Sequence, residues 1–266
     1  MNIIVCVKQV PDTTEIKIDD EKGTLMRDGV PSILNPDDAN ALEEALSLKS
    51  RYPGTTVHVL TMGPEQASYA LRECLAMGAD EAYLLSSRAF GGADTCATSI
   101  TVAAGIRKIS ELIGGCDLIF AGRQAIDGDT AQVGPQTAQR LGLPIATYVQ
   151  GIREIRDDYV IVERQLEDGY QILAVRRPCV LTAVKDLNKP RYMTVNGIEQ
   201  AYRKEITVWN EKDINLKPAS CGHNASPTRV FRSFTPPPKG QGEMLEGTIP
   251  EMAHELISKL KEKHFL

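Results

Sequence analysis

The sequence has neither of the two fingerprints by which phosphate-binding loops are most often recognised. No GxxxxGKS/T occurs, and no GxGxxG follows a strand-like run. It also has no CxxC. The cysteines at 6, 74, 96, 116, 179 and 221 are widely spaced, a pattern of reduced, mostly buried thiols in the cytoplasm rather than of a disulfide framework. The histidines at 58, 223, 254 and 264 make no ligand-like spacing. Cys221 and His223 lie close together but fall short of a tetrahedral ligand set, so no metal is expected. No apolar run approaches the ~20 residues of a membrane span, and no membrane insertion is expected. The opening MNIIVCVKQV is too short, and too soon followed by Pro11 and Asp12, to read as a signal peptide. Net charge is −5 with Lys and Arg scattered, which excludes a nucleic-acid surface and a polybasic membrane patch.

What is present is strand–helix alternation. The 266 residues, 42% hydrophobic and 24% charged, suffice for one large domain, or one domain with an appendage. Ile3–Val7 is a continuous apolar run of the kind buried on both faces of a sheet, and Val57–Thr61, Ala82–Leu85 and Leu118–Ala121 are similar. Between them lie helices with readable ends. Asn35-Pro36 offers a capping side chain and a first-turn proline, followed by Leu42, Ala45 and Leu46 on one face. Pro64 opens a second helix, whose stripe of Ala67, Ala70, Leu71, Cys74 and Leu75 ends at Gly78. Asp94 caps a third, running through Ile100, Ala104, Ile109 and Leu112. A fourth follows Gly134-Pro135 as far as Leu141, where Gly142 stops it. Such alternation predicts an α/β fold with a doubly wound parallel sheet of the adenine-nucleotide-binding type.

After Pro144 the pattern alternates apolar and polar residues, with turns at Asp157-Asp158 and Asp168-Gly169, predicting antiparallel edge strands. The boundaries are therefore 1–207 for the α/β domain and 208–266 for an extended C-terminal arm ending in a helix. Thr248 and Glu251 form that helix's capping box, and Met252, Leu256, Ile257 and Leu260 form its apolar face. Two placements of the arm stay open, on a partner chain or back on its own.

Doubly wound sheets bind ligands beyond the carboxyl ends of their strands. There the segment DLIFAGRQAIDGDTAQVGP, residues 117–135, empties a strand into a small-residue loop before a helix. With Pro135 in the first turn, the amides from Gly128 to Gly134 have few helical partners. Gly128 at positive φ would turn them inward as an anion nest, with Thr130 and Gln132 adding side-chain donors. Asp127 and Asp129 would accept from their own loop or from a ribose. A nucleotide site or a plain helix start without ligand both satisfy these residues.

Four stretches taken together resemble the beta subunit of electron-transfer flavoproteins: CVKQVPDT at 6–13, NPDDANALEEAL at 35–46, TMGPEQASYALRECLAMGADEAYLL at 61–85 and AGRQAIDGDTAQVGP at 121–135. The resemblance covers most of residues 1–200. It implies a heterodimer in which this chain supplies a nucleotide-binding α/β domain and the alpha subunit carries an FAD. Simple carriers of the family hold AMP in the beta site, with a third acid and Asn-Gln-Thr in the loop. Electron-bifurcating members, and relatives serving nitrogen fixation, hold a second FAD. The DGDTAQVGP loop and AFGGADT at 89–95 are similar to the second-FAD group.

That resemblance implies FAD here, with AMP the alternative, and NADH as hydride donor. Electrons would leave one way to ferredoxin or flavodoxin. The other way leads through the alpha-subunit FAD to an acyl-CoA dehydrogenase-type or other dehydrogenase. No catalytic side chain is implied, since the cofactor carries the chemistry. Carried over by position, the contacts are Cys6, Asn35, Met62 and Gly63, then Phe120, Ala121, Gly122, Arg123 and Gln124, then Asp127, Gly128, Asp129 and Thr130, and lastly Ala131, Gln132 and Val133. Gly91, Asp94 and Thr95 join them as a close backbone approach and polar contacts, and Arg123 is the cation placed by the flavin. Blander roles compete: core packing for Cys6, a helix cap for Asn35, a loop hydrophobe for Met62, and a turn for Gly91-Gly92. Asp37 and Asp38 have no support as contacts.

Overall fold

The structure is a computed structural model that describes residues 1–12, 17–19, 24–26, 31–229, 231, 240 and 242–266. The four expected apolar runs are strands β1 (Asn2–Cys6), β6 (Thr56–Met62), β7 (Glu81–Leu85) and β8 (Leu118–Gly122). All are parallel and lie side by side in the order β7-β6-β1-β8. Ile3 pairs with Val57 on one side and Leu118 on the other.

Because side chains alternate across a strand, the runs feed two cores. Ile3, Val5, Val59, Leu84 and Phe120 pack under helices α1 (Pro36–Arg51) and α2 (Ser68–Met77), together with Leu42, Leu46 and Leu71. Ile4, Leu60, Leu85 and Ile119 pack on the opposite face under α3 (Thr95–Ile113) and α4 (Val133–Leu141), against Val102, Ile106 and Ala138. Gly78 and Gly142 end α2 and α4 at positive φ, as their positions predict. Leu112, placed on α3's run, is instead largely exposed.

Beyond β8 the sheet differs from expectation. Strands β9 (Ile145–Ile155), β10 (Tyr159–Leu166) and β11 (Gly169–Arg176) do form an antiparallel edge. The next strand, β12 (Cys179–Ala183), returns to the interior and runs parallel between β8 and β9. Its five residues are all buried, as a strand covered on both faces must be. Two small ladders precede α1: β2 (Gln9–Pro11) with β5 (Ser32–Leu34), and β3 (Lys17–Asp19) with β4 (Thr24–Met26). A further helix, α5 (Val195–Arg203), packs beside α2, where Arg72 donates to the Lys204 carbonyl at 2.5 Å.

At the other edge β13 (Ile206–Trp209) pairs parallel with β7, so the sheet runs across the boundary placed after residue 207. Ile214 and Cys221 join the α3-side core, which places this part of the segment on its own chain. There the short α6 (Gly222–Ala225) follows. Residues 230, 232–239 and 241 of the expected arm lie outside the described residues. The last helix, α7 (Ile249–Glu262), has no buried residue. The Glu251 carboxylate accepts from the Thr248 N–H and hydroxyl at its start. No helix among the described residues is long and apolar enough to cross a membrane.

Candidate functional site

From β1 the chain steps outward to β6 and β7, then comes back to β8 on the other side of β1. Strand order therefore reverses between β1 and β8, and the loops leaving their carboxyl ends part to leave a crevice. One wall is the stretch after Cys6, and the other is the loop 123–132.

The first half of that loop is laced to the first turn of α1. Asn35 precedes the helix as expected, but its side chain makes no capping bond. Instead Nδ2 donates to the Gln124 carbonyl at 2.9 Å and Oδ1 accepts from the Ile126 N–H at 3.1 Å. Burial explains the preference: an interior loop amide without a partner is costly, while Pro36 has already removed one helix-start amide from demand. Asp38 accepts from the Gly122 and Lys8 N–H groups, both at 2.8 Å, and so ties the ends of β8 and β1 together. A Cβ on Gly122 would lie 2.4 Å from Asp38 Oδ1, so only glycine fits there. Asp37 Oδ2 lies 3.3 Å from Arg123 Nε. The cation expected by a flavin thus has its Nε turned toward α1, with about a third of its side chain (34%) exposed.

The second half of the loop is bare. Gly128 and Asp129 both donate to the Ala125 carbonyl, closing a single turn. Gly128 is not at positive φ; the left-handed residues are Asp129 (φ 50°) and Ala131 (φ 52°). The positive-φ positions therefore lie one to three residues beyond the one where glycine predicted them. Because left-handed backbone strains any residue with a Cβ, the two positions mark a conformation maintained by its surroundings. None of the amides from Thr130 to Gly134 donates to a backbone carbonyl among the described residues. Gly128 itself has no neighbour within 4 Å of a would-be Cβ. Neither its backbone angle nor its packing within the chain calls for glycine.

Charge separates the two helix starts. The α1 start, the usual phosphate seat in such folds, carries Asp37 and Asp38. The α4 start carries no acid in its first turn, so an anion is directed to α4. The loop acids are held aside, since Lys8 Nζ pairs with Asp127 at 2.7 Å and Gln124 Nε2 donates to Asp129 Oδ1 at 2.9 Å.

The expected residues divide by placement. Thr95 Oγ1 donates to Gln132 Oε1 at 2.8 Å, which brings the start of α3 against the loop. Asp94 faces elsewhere: Oδ1 caps α3 through the Ala97 N–H, and Oδ2 accepts from the N–H and hydroxyl of Thr228. The Gly91 carbonyl accepts from the His223 N–H. Phe120 is fully buried in the core and can offer a ligand only backbone, and Ala121 follows it toward the strand end. Met62 and Gly63 end β6 beside β1, where the Gly63 N–H is already bonded to the Leu85 carbonyl. Burial pushes the Cys6 thiol up to about 12, so it packs as a neutral group. Thr130, Gln132 and Val133 line the bare amides. Lys8, Asp37 and Asp38 are the residues that sequence reasoning missed. Two acids opening a helix read as dipole partners on the surface, and nothing local shows that this helix starts beneath two strand ends.

Residues 22–214 match the electron transfer flavoprotein domain. The chain is 65% identical over 267 residues to the caffeyl-CoA reductase–Etf complex subunit CarD of Acetobacterium woodii, covering 100% of both chains. It is 55% identical over 266 residues to an electron transfer flavoprotein subunit beta of Clostridium acetobutylicum, again covering 100% of both. It is 45% identical over 264 residues to the protein FixA of Azorhizobium caulinodans, covering 98% of this chain and 94% of that one.

Proposed function

Because this chain belongs to the electron transfer flavoprotein family, as a beta subunit, we propose that its switch-point crevice holds FAD within a bifurcating electron-transfer complex. The observation that carries the reading is the run of amides at 130–134 without a backbone partner among the described residues, beside the left-handed Asp129 and Ala131. It fits a diphosphate, whose oxygens need several convergent N–H donors. Gly128, required neither by φ nor by a neighbour within the chain, leaves room for a large ligand where an acid would add charge and bulk.

FAD bound here supplies a hydride acceptor for NADH and a one-electron relay toward ferredoxin or flavodoxin and toward the alpha-subunit FAD. The chain's own residues do the holding. The 130–134 amides take phosphate, and Thr130 and Gln132 add polar groups beside them. Asn35, Asp37 and Asp38 keep the loop root rigid, and Arg123 places a partly exposed cation beside it. An alpha subunit is the partner for the C-terminal segment, because Leu256 and Ile257 on α7 remain about half exposed. A partner dehydrogenase has a surface in Tyr192 and Val195, about nine-tenths exposed just beyond the Arg191–Glu43 ion pair that straps them to α1.

The test is to purify the chain with its alpha subunit and count flavin. Two FAD per heterodimer, with bleaching by NADH, is the expected result. One flavin with one AMP would overturn it and leave the crevice a structural mononucleotide site.

A further inference from the structure

Among the described residues Asp38 is an acid without an ion-pair partner. It is 7% exposed, in the first turn of α1, and its two oxygens accept from the Lys8 and Gly122 amides. The ion pairs around it leave it out. On its own helix, Asp37 has Arg123 beside it. After β1, the Lys8 ammonium reaches past it to Asp127. Cys6 on β1 and Cys74 on α2 are thiols kept neutral by burial. From the loop come Asp127, paired with Lys8, and Asp129, bonded to Gln124. Among the described residues no ion pair includes Asp38.

A buried carboxylate held by neutral dipoles alone is poised between its two protonation states. Desolvation and the neighbouring Asp37 oppose the charged form, while the Gly122 and Lys8 amides and the Asn35 side chain favour it. Burial is the larger influence and lifts Asp38 from the ordinary 3.8 to about 7. Of the two amides that Asp38 ties down, that of Gly122 roots the loop whose far half presents the bare nest. An anion seated there adds negative charge to the loop that Asp38 roots through Gly122, and the loop's cations Lys8 and Arg123 pair with Asp127 and Asp37 rather than with Asp38.

We propose that Asp38 is a proton-binding positioning residue of the nucleotide site, taking a proton from solvent when a dinucleotide's charge is added to the 122–133 loop. This rests on the nucleotide reading above. A protonated carboxyl keeps its carbonyl oxygen for one of the two amides, so one tie of the loop root is retained while the local negative charge falls by one.

The experiment is a calorimetric titration of the full-length chain with FAD at pH 7, in two buffers of different ionisation enthalpy. FAD's diphosphate carries no group titrating near pH 7, so any proton taken up enters the protein. The wild type should take up a measurable fraction of one proton per FAD, and Asp38→Asn less than half as much. Equal uptake in the two proteins overturns the proposal while leaving the nucleotide reading intact, whereas FAD that does not bind the wild type overturns both. Should Asp38→Asn fail to fold, carbon-13 titration of aspartate carboxyls in the wild type decides. One carboxyl with a midpoint near 7 that moves upward on FAD addition is expected. All aspartates titrating in the ordinary range overturns the proposal.

Discussion

Asn35→Ala isolates what the loop root contributes. The side chain is fully buried and makes two bonds, one to the Gln124 carbonyl at 2.9 Å and one from the Ile126 N–H at 3.1 Å. Removing it deletes both and leaves two backbone groups short of a partner. Each such group costs about 1–3 kcal/mol when buried, and less where water can enter. Residues 124 and 126 are half-buried, so the lower end applies, about 1–1.5 kcal/mol for each, or about 2–3 kcal/mol for the pair. Because the loop carries the nest, that energy is spent on keeping the nest ordered before a ligand arrives. Affinity for FAD should fall about 30- to 150-fold, at about 1.4 kcal/mol per decade. Equilibrium dialysis of the full-length chain against FAD reads the affinity, and amide hydrogen exchange over 122–133 reads the loop. Asn35→Asp separates the two bonds, because it retains the acceptor for Ile126, loses the donor to Gln124 and adds a third acid to the α1 start. It should fall between wild type and alanine. Affinity within twofold of wild type, with unchanged exchange, would refute the claim that Asn35 anchors the loop.

Ala131→Gly relieves a left-handed alanine (φ 52°) and should stabilise the ligand-free chain by about 0.5–1 kcal/mol; an unchanged or lower melting temperature would remove the case for strain in the nest. Gly122→Ala drives a Cβ to 2.4 Å from Asp38 Oδ1, an overpacking expected to cost about 3 kcal/mol, and a melting temperature within 2 °C of wild type would contradict the tie between β8 and α1. Asp38 also sets a pH dependence. Its folded value lies above the ordinary one, so between 3.8 and about 7 the folded chain binds more protons than the unfolded chain. Stability then falls as pH rises through that window, by at most about 4 kcal/mol. Urea denaturation at pH 5 and pH 7.5 should show this loss in wild type and a flatter profile in Asp38→Asn. Gly128→Asp meets no neighbour in the chain, so it should fold normally yet lower the FAD retained per heterodimer; full retention would sever Gly128 from ligand choice.

What was legible in the sequence was whatever depends on near neighbours. Short apolar runs buried on both faces specify central parallel strands, which is why β1, β6, β7 and β8 were readable. Gly78, Gly142 and Asp94 mark helix ends through their own backbone or side-chain geometry. The absence of both motifs also excluded the two standard phosphate loops, and residue order within 121–135 was enough to point to one crevice wall. The position of β12 was not legible, because CVLTA reads the same at an edge as in the interior and its neighbours β8 and β9 are fixed only by assembly of the sheet. Nor was the nest's register. Glycine is the residue most at ease at positive φ, yet the turn closed by Ala125 moves the left-handed positions to Asp129 and Ala131. The roles of Asn35, Asp37 and Asp38 lay furthest from view. A helix-start acid is a surface charge until tertiary packing sets that helix over the ends of two strands. Their amides and the helix's carboxylates then have only each other to bond.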